Sequence, residues 1–153
     1  MCHIQPYLPV VIWSYPGIGE ESEVTILIAD DSQLIRENLS KLIESSPVQA
    51  RILLATEVGS TILALQQNEV DVLILDIQMP GGTGFEVLKY MISRESRPYT
   101  IVLTNYAGTR TKNRSLQLGA DLFFDKSNEY EELIDVLEWF DGQVSAEKTG
   151  GEG

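Results

Sequence analysis

The chain has 153 residues, 43% of them hydrophobic and 22% charged, with a formal net charge of −12. That length suits one domain with a real core rather than two, and the acidic balance argues against a nucleic-acid surface built from clustered Lys and Arg. The apolar stretches are far shorter than the roughly 20 residues that cross a bilayer, and a single cysteine, Cys2, rules out an internal disulfide.

Residues 1–23 read as an N-terminal extension, disordered or docked. Pro6, Pro9 and Pro16 interrupt it, and Gly17, Gly19 and the acidic Glu20-Glu21-Ser22-Glu23 follow. Cys2 and His3 are adjacent, but two ligands at a terminus do not make a metal site. The apolar patch from Leu8 to Trp13 is consistent with docking on the domain or a partner, or with an over-called translation start. The segment lacks the basic and long apolar regions of a signal peptide.

From Val24 the pattern becomes regular. Val24-Thr25-Ile26-Leu27-Ile28-Ala29 is a β-branched apolar run that predicts a buried strand. Leu34, Ile35, Leu39, Leu42 and Ile43 recur at helical spacing until Ser45-Ser46-Pro47. Arg51 to Ala55 predicts a second strand, and Gly59-Ser60 opens a second helix with Ile62, Leu63 and Leu65 on its apolar face. Val70 to Leu75 is a third strand. Pro80-Gly81-Gly82 is a turn, and Thr83-Gly84-Phe85-Glu86 has the spacing of a capping box for the third helix. Tyr99 to Leu103 predicts the fourth strand and Gly108 to Leu118 the fourth helix, with Gly119 as its C-cap. Leu122-Phe123-Phe124 is a short fifth strand. The last helix is expected from near Asn128, with Leu133, Ile134, Leu137 and Phe140 inward, and to stop before Gly142. Residues 142–153 are polar and Gly-rich and are expected to be a disordered tail.

Five strand–helix repeats with continuously apolar strands predict an α/β domain over residues 24–141, a parallel sheet covered on both faces. Right-handed crossovers then favour a flavodoxin-like doubly wound sheet of five strands in the order 2-1-3-4-5. Ligands of such sheets bind beyond the carboxyl ends of the strands, where the strand order reverses. The residues delivered there are Asp30 and Asp31, Asp76, Thr104, and Asp125 with Lys126. Singly each has a plain reading: Asp30-Asp31 as helix-capping residues, Asp76 as loop composition, Thr104 as a backbone partner, Lys126 as a solvated charge. Together they supply converging carboxylates whose repulsion a hard divalent cation relieves, a carboxylate nucleophile, an ammonium and a hydroxyl. Phosphoryl transfer is catalysed mainly by such positioning and charge neutralisation.

The segments Ile26-Leu27-Ile28-Ala29-Asp30-Asp31-Ser32, Leu73-Ile74-Leu75-Asp76-Ile77-Gln78-Met79-Pro80 with Gly84, Val102-Leu103-Thr104-Asn105, and Leu118-Gly119-Ala120-Asp121 through Phe124-Asp125-Lys126 resemble the receiver domain of two-component response regulators. The resemblance covers roughly residues 24–141 and is of the single-domain, stand-alone type. It implies that Asp76 accepts a phosphoryl group from a sensor histidine kinase or phosphotransfer protein. It implies a magnesium ion, with manganese as an alternative, held by Asp31, Asp76 and the Gln78 backbone carbonyl, and by Asp30 through water. It also implies that Lys126 and Thr104 contact the phosphoryl oxygens, that Phe123 is the switch aromatic, and that Gln78 and Tyr106 tune phosphate lifetime. The bulk of Tyr106 predicts a fairly long-lived phosphoryl state.

The chain departs from the family pattern at Ser127, where many members have proline. A cis Lys126–Ser127 bond would cost about 2.5–4 kcal/mol, which leaves its isomer open. Phe123 also lacks the hydroxyl of a tyrosine. Too few residues follow Phe140 for a DNA-binding module, so output is expected through protein contacts on helix four, strand five and helix five, where Leu116, Leu118 and Tyr130 are either contributors or ordinary packing residues. The expectation is a bacterial cytoplasmic switch rather than an enzyme, with slow self-dephosphorylation, no direct nucleic-acid or membrane contact, and a monomer or phosphorylation-dependent dimer. Two alternatives remain: a receiver-like binding module that is never phosphorylated, and the isolated receiver of a longer transcription factor. A haloacid-dehalogenase-like phosphatase is disfavoured. It needs an acid/base Asp two residues after the nucleophile, where this chain has Gln78.

Overall fold

The structure is a computed structural model that describes residues 11–13, 23–105, 107–127 and 129–150. The expectations placed on Cys2, His3, Tyr106, Asn128 and the last three residues lie outside it.

The elements in order are β1 (Val11–Trp13), β2 (Val24–Ala29), α1 (Gln33–Ser45), β3 (Ala50–Ala55), α2 (Val58–Gln67), β4 (Val72–Leu75), β5 (Gln78–Met79), β6 (Gly82–Thr83), α3 (Gly84–Ile92), β7 (Tyr99–Thr104), α4 (Thr109–Gln117), β8 (Leu122–Asp125) and α5 (Tyr130–Gly150). The main sheet runs β1-β3-β2-β4-β7-β8. The five expected strands pair in parallel in the expected order, 2-1-3-4-5. A sixth strand was not foreseen. β1, from the N-terminal extension, adds antiparallel to the outer edge of β3, with Val11 opposite Leu54 and Trp13 opposite Ile52.

Alternating residues of the buried strands face two cores. Leu27, Leu53, Leu73, Leu75 and Val102 pack with residues of α2 and α3, among them Ala64, Val87 and Leu88. Ile26, Ile28, Ile74, Ile101 and Leu103 pack on the other side with Leu39 and Ile43 of α1 and Leu133 and Leu137 of α5. Strands buried on both faces therefore read as unbroken apolar runs. The two cores hold the sheet rigid, which fixes where the strand ends point.

Local boundaries differ from the sequence reading for identifiable reasons. β4 begins at Val72, and just before it the Asp71 carboxylate accepts the Thr25 N–H at 2.8 Å. Leu39 and Ile43 are buried as expected, but Leu34 is 65% exposed and Leu42 lies at the surface, so the apolar face of α1 is narrower than its periodicity implied. The capping box at Thr83 does not form: Thr83 is the N-cap of α3 by position, and its side chain makes no capping hydrogen bond. α5 does not stop before Gly142 but runs to Gly150. One glycine costs a helix only about 1 kcal/mol, and the residues that follow it are compatible with continuing the helix. Gly119 has φ +100°, as a left-handed C-cap residue requires.

Candidate functional site

The register of the parallel sheet assembles the site. Ala29 pairs with Leu75, so the next residues, Asp30 and Asp76, leave neighbouring strands side by side. The Asp76 N–H donates to the Ala29 carbonyl at 2.9 Å, and the Asp30 N–H to the Ala55 carbonyl at 3.1 Å. Thr104 pairs with Asp125, and the Lys126 N–H donates to the Thr104 carbonyl at 3.1 Å, which brings the lysine to the same end of the sheet.

Ligand oxygens of Asp30, Asp31 and Asp76 all lie within 4.8 Å of one another. Asp30 and Asp76 are almost fully buried and Asp31 is exposed. The buried Lys126 ammonium bridges the two buried acids, 2.5 Å from Asp30 Oδ2 and 2.9 Å from Asp76 Oδ2. The remaining carboxylate oxygens are held by the backbone: Ser32 N–H donates to Asp30 Oδ1 at 2.9 Å and Gln78 N–H to Asp76 Oδ1 at 3.2 Å. Burial pushes the Asp30 carboxyl up from its ordinary value, although hydrogen bonds from Lys126 and Ser32 pull the other way. Burial works to lower the Lys126 pKa, but its hydrogen bonds to Asp30 and Asp76 outweigh that, and it stays charged above the ordinary lysine range.

Asp31, Asp76 and Lys126 line an open cleft of about 570 Å³, together with Gln78 and Asn105 among others. Its far wall is the segment between β4 and α3, folded back by the β5–β6 ribbon. Pro80-Gly81 makes the turn, with Gly81 at φ +82°, the conformation the third residue of a type II turn needs. The Gly84 N–H donates to the Ile77 carbonyl at 2.7 Å and closes the loop.

The structure thus gathers Asp30, Asp31, Asp76 and Lys126 in one place. Thr104 sits at the end of β7 with no solvent exposure, and Asn105 rather than Thr104 lines the cleft. Phe123 is half-buried against the core beside α2 and α3. The Lys126–Ser127 bond is trans, as are all peptide bonds among the described residues. Of the expected output residues, Leu116 is 40% exposed, whereas Leu118 and Tyr130 pack against the two cores. Sequence reasoning missed Arg36, whose Nη1 donates to the Asp30 carbonyl at 2.8 Å. Its place one turn into α1, just after the acidic pair, was the available signal.

The donor set fits a hard divalent cation. Every donor offered is an oxygen, the charge is negative, and the exposed Asp31 leaves a way in from solvent. Among the described residues no helix is long and apolar enough to cross a membrane.

A family model for the response regulator receiver domain matches residues 26–138. A protein-glutamate methylesterase/protein-glutamine glutaminase of Syntrophomonas wolfei is 31% identical over 104 residues, which is 67% of this chain and 30% of that protein. The sensory transduction protein LytT of Enterococcus faecalis is 28% identical over 84% of this chain and 53% of its own length. The chain spans from about a third to about a half of these curated relatives. Among solved structures, a response regulator protein of Burkholderia pseudomallei, described with a phosphorylated aspartic acid, a calcium ion and citrate, superposes with a TM-score of 0.66 at 18% identity, covering 86% of this chain and 76% of that one. At that identity the likeness speaks for the fold alone.

Proposed function

Because this chain belongs to the response regulator receiver domain family, we propose that it is a phosphorylation-driven switch whose phosphoacceptor is Asp76. The observation that carries the reading is the Lys126 ammonium set between the buried carboxylates of Asp30 and Asp76 on the floor of an open cleft, with Asp31 at its mouth.

In this reading an Asp76 carboxylate oxygen attacks the phosphorus of a phosphohistidine on a sensor kinase or phosphotransfer protein. A P–O bond forms, the P–N bond breaks, and the electron pair leaves with the imidazole. Gln78 N–H and Lys126 fix the two oxygens of Asp76 before reaction, so little reorganisation is needed. A magnesium ion held by Asp31, Asp76 and the Gln78 carbonyl, with Asp30 behind a water, would supply the charge that offsets the incoming phosphoryl oxygens. Lys126 then exchanges a carboxylate partner for a phosphoryl oxygen, and Thr104 hydrogen-bonds another. That exchange is the bias on a two-state equilibrium that carries Phe123 inward and reshapes the face of α4, β8 and α5 for a downstream protein. The switch is placed in the cytoplasm, where its phosphodonors are.

The test is incubation with acetyl phosphate and magnesium, read by intact mass. One phosphate-sized adduct is expected, abolished by Asp76→Ala. An unmodified wild type would overturn the proposal in favour of a binding module.

A further inference from the structure

We infer that Arg36 is a positioning residue for the cation site: its side chain locks the Asp30–Asp31 peptide and thereby aims Asp31. The inference rests on the switch reading above and deepens it.

Asp30 lies one residue beyond the end of β2. There the ladder has run out. Ala29 still accepts from Asp76 N–H, and Asp30 N–H still finds Ala55, but no strand continues beside the Asp30 carbonyl. Arg36 reaches back from the first turn of α1 and donates Nη1–H to that carbonyl at 2.8 Å. The turn itself is fixed, since Ser32 Oγ accepts from Ile35 N–H at 3.3 Å and Arg36 N–H donates to the Ser32 carbonyl at 3.1 Å. Arg36 is half-buried.

A peptide group is planar, and the Asp30 carbonyl and the Asp31 N–H belong to the same one. Holding the oxygen restrains that plane and with it the position of the Asp31 Cα, the point from which the side chain leaves the backbone. Asp30 and Asp76 are steered by Lys126, Ser32 and Gln78. Asp31 is exposed, and among the described residues no donor holds its carboxylate in the same way. It therefore depends on its backbone for aim, and Arg36 holds that backbone. A guanidinium suits the task because it is always charged and its donors are planar and rigid.

Two effects of Arg36 on a cation have opposite signs. Positioning tightens binding, while a nearby positive charge weakens it. The inference is that positioning wins, and magnesium affinity alone decides it. Binding is measured by isothermal titration calorimetry of the full chain with MgCl2 and no phosphodonor, alongside thermal melts. Arg36→Met, which removes donor and charge together, is expected to bind magnesium about tenfold more weakly, a loss of about 1.4 kcal/mol. Arg36→Lys keeps the charge and a donor but loses the rigid fork, and is expected to bind about threefold more weakly. Unchanged or tighter binding by Arg36→Met overturns the inference, because it makes Arg36 only a structural or repulsive group. If Arg36→Met does not fold, Arg36→Lys decides alone, and affinity equal to wild type overturns it. A wild type that binds magnesium and takes up phosphate while the variants match its affinity defeats this inference only. A wild type that binds no magnesium defeats the cation-site reading as well.

Discussion

Removing the amine of Lys126 should make the fold depend on magnesium. In Lys126→Met the carboxylates of Asp30 and Asp76, 3% and 5% exposed, lose the cation that lay 2.5 and 2.9 Å away. Breaking a buried ion pair by deleting one partner costs about 3–5 kcal/mol. Proton uptake limits the damage, since protonating a carboxyl of ordinary pKa at pH 7 costs about 4 kcal/mol. The burial that already pushes Asp30 up makes it the acid that takes the proton. A loss of about 3–4 kcal/mol lowers Tm by roughly 6–15 °C for a domain of this size. Magnesium at a hundred times its Kd returns about 2.7 kcal/mol, and with no ammonium competing for the carboxylates the variant should gain more than wild type. The assay is a pair of thermal melts, one in EDTA and one in millimolar magnesium. A second check is pH. The folded-state pKa of Lys126 is raised above 10.5, so its stabilisation is full below that value and lost as pH rises through the folded value. On the alkaline side the two proteins should therefore converge in EDTA only at strongly alkaline pH. A drop below 2 °C in EDTA, or a gap that magnesium leaves unchanged, refutes the reasoning.

The strand order and both cores were legible because apolar periodicity encodes burial, and two-sided burial leaves little freedom of topology. The convergence of Asp30, Asp31, Asp76 and Lys126 was legible for the same reason: each follows directly on a buried strand whose neighbours the topology dictates. What escaped depends on contacts that periodicity does not encode. Nothing in Val11-Ile12-Trp13 distinguishes a strand on the edge of β3 from any other short apolar patch, because edge pairing uses backbone groups that every residue has. Arg36 reads as a surface charge on α1 until the unladdered carbonyl of Asp30 is seen above it. Gly142 taken alone reads as a stop, whereas a helix already docked through Leu133 and Leu137 is cooperative and carries one glycine. Thr104 was foreseen at its strand end, but its complete burial was not; that follows from its place in a central strand covered on both faces.

Two further substitutions probe the ends of the sheet. Asp141 has a buried Oδ1 that lacks a hydrogen-bond partner among the described residues, and burial raises its pKa although a hydrogen bond with the Gln49 backbone pulls the other way. An acid raised in the folded state weakens the fold at any pH above that value, so Asp141→Asn should raise Tm at pH 7. The gain should vanish near pH 3 in a pH series of melts. At the other end, Gly84→Ala sets two effects against each other. Alanine favours a helix over glycine by about 1 kcal/mol, but a Cβ here would stand 2.5 Å from the Asp76 carbonyl oxygen and 2.9 Å from Ile77 Cα. Both are backbone atoms, so no rotamer change relieves the contact, and α3 must retreat from the loop that carries Asp76. Overpacking of this kind costs about 1–3 kcal/mol, so a net loss of Tm is expected, together with slower uptake of phosphate from acetyl phosphate. A higher Tm with unchanged labelling would mean that helix propensity decides at this position and that the close approach of α3 to the Asp76 loop is not needed for the site.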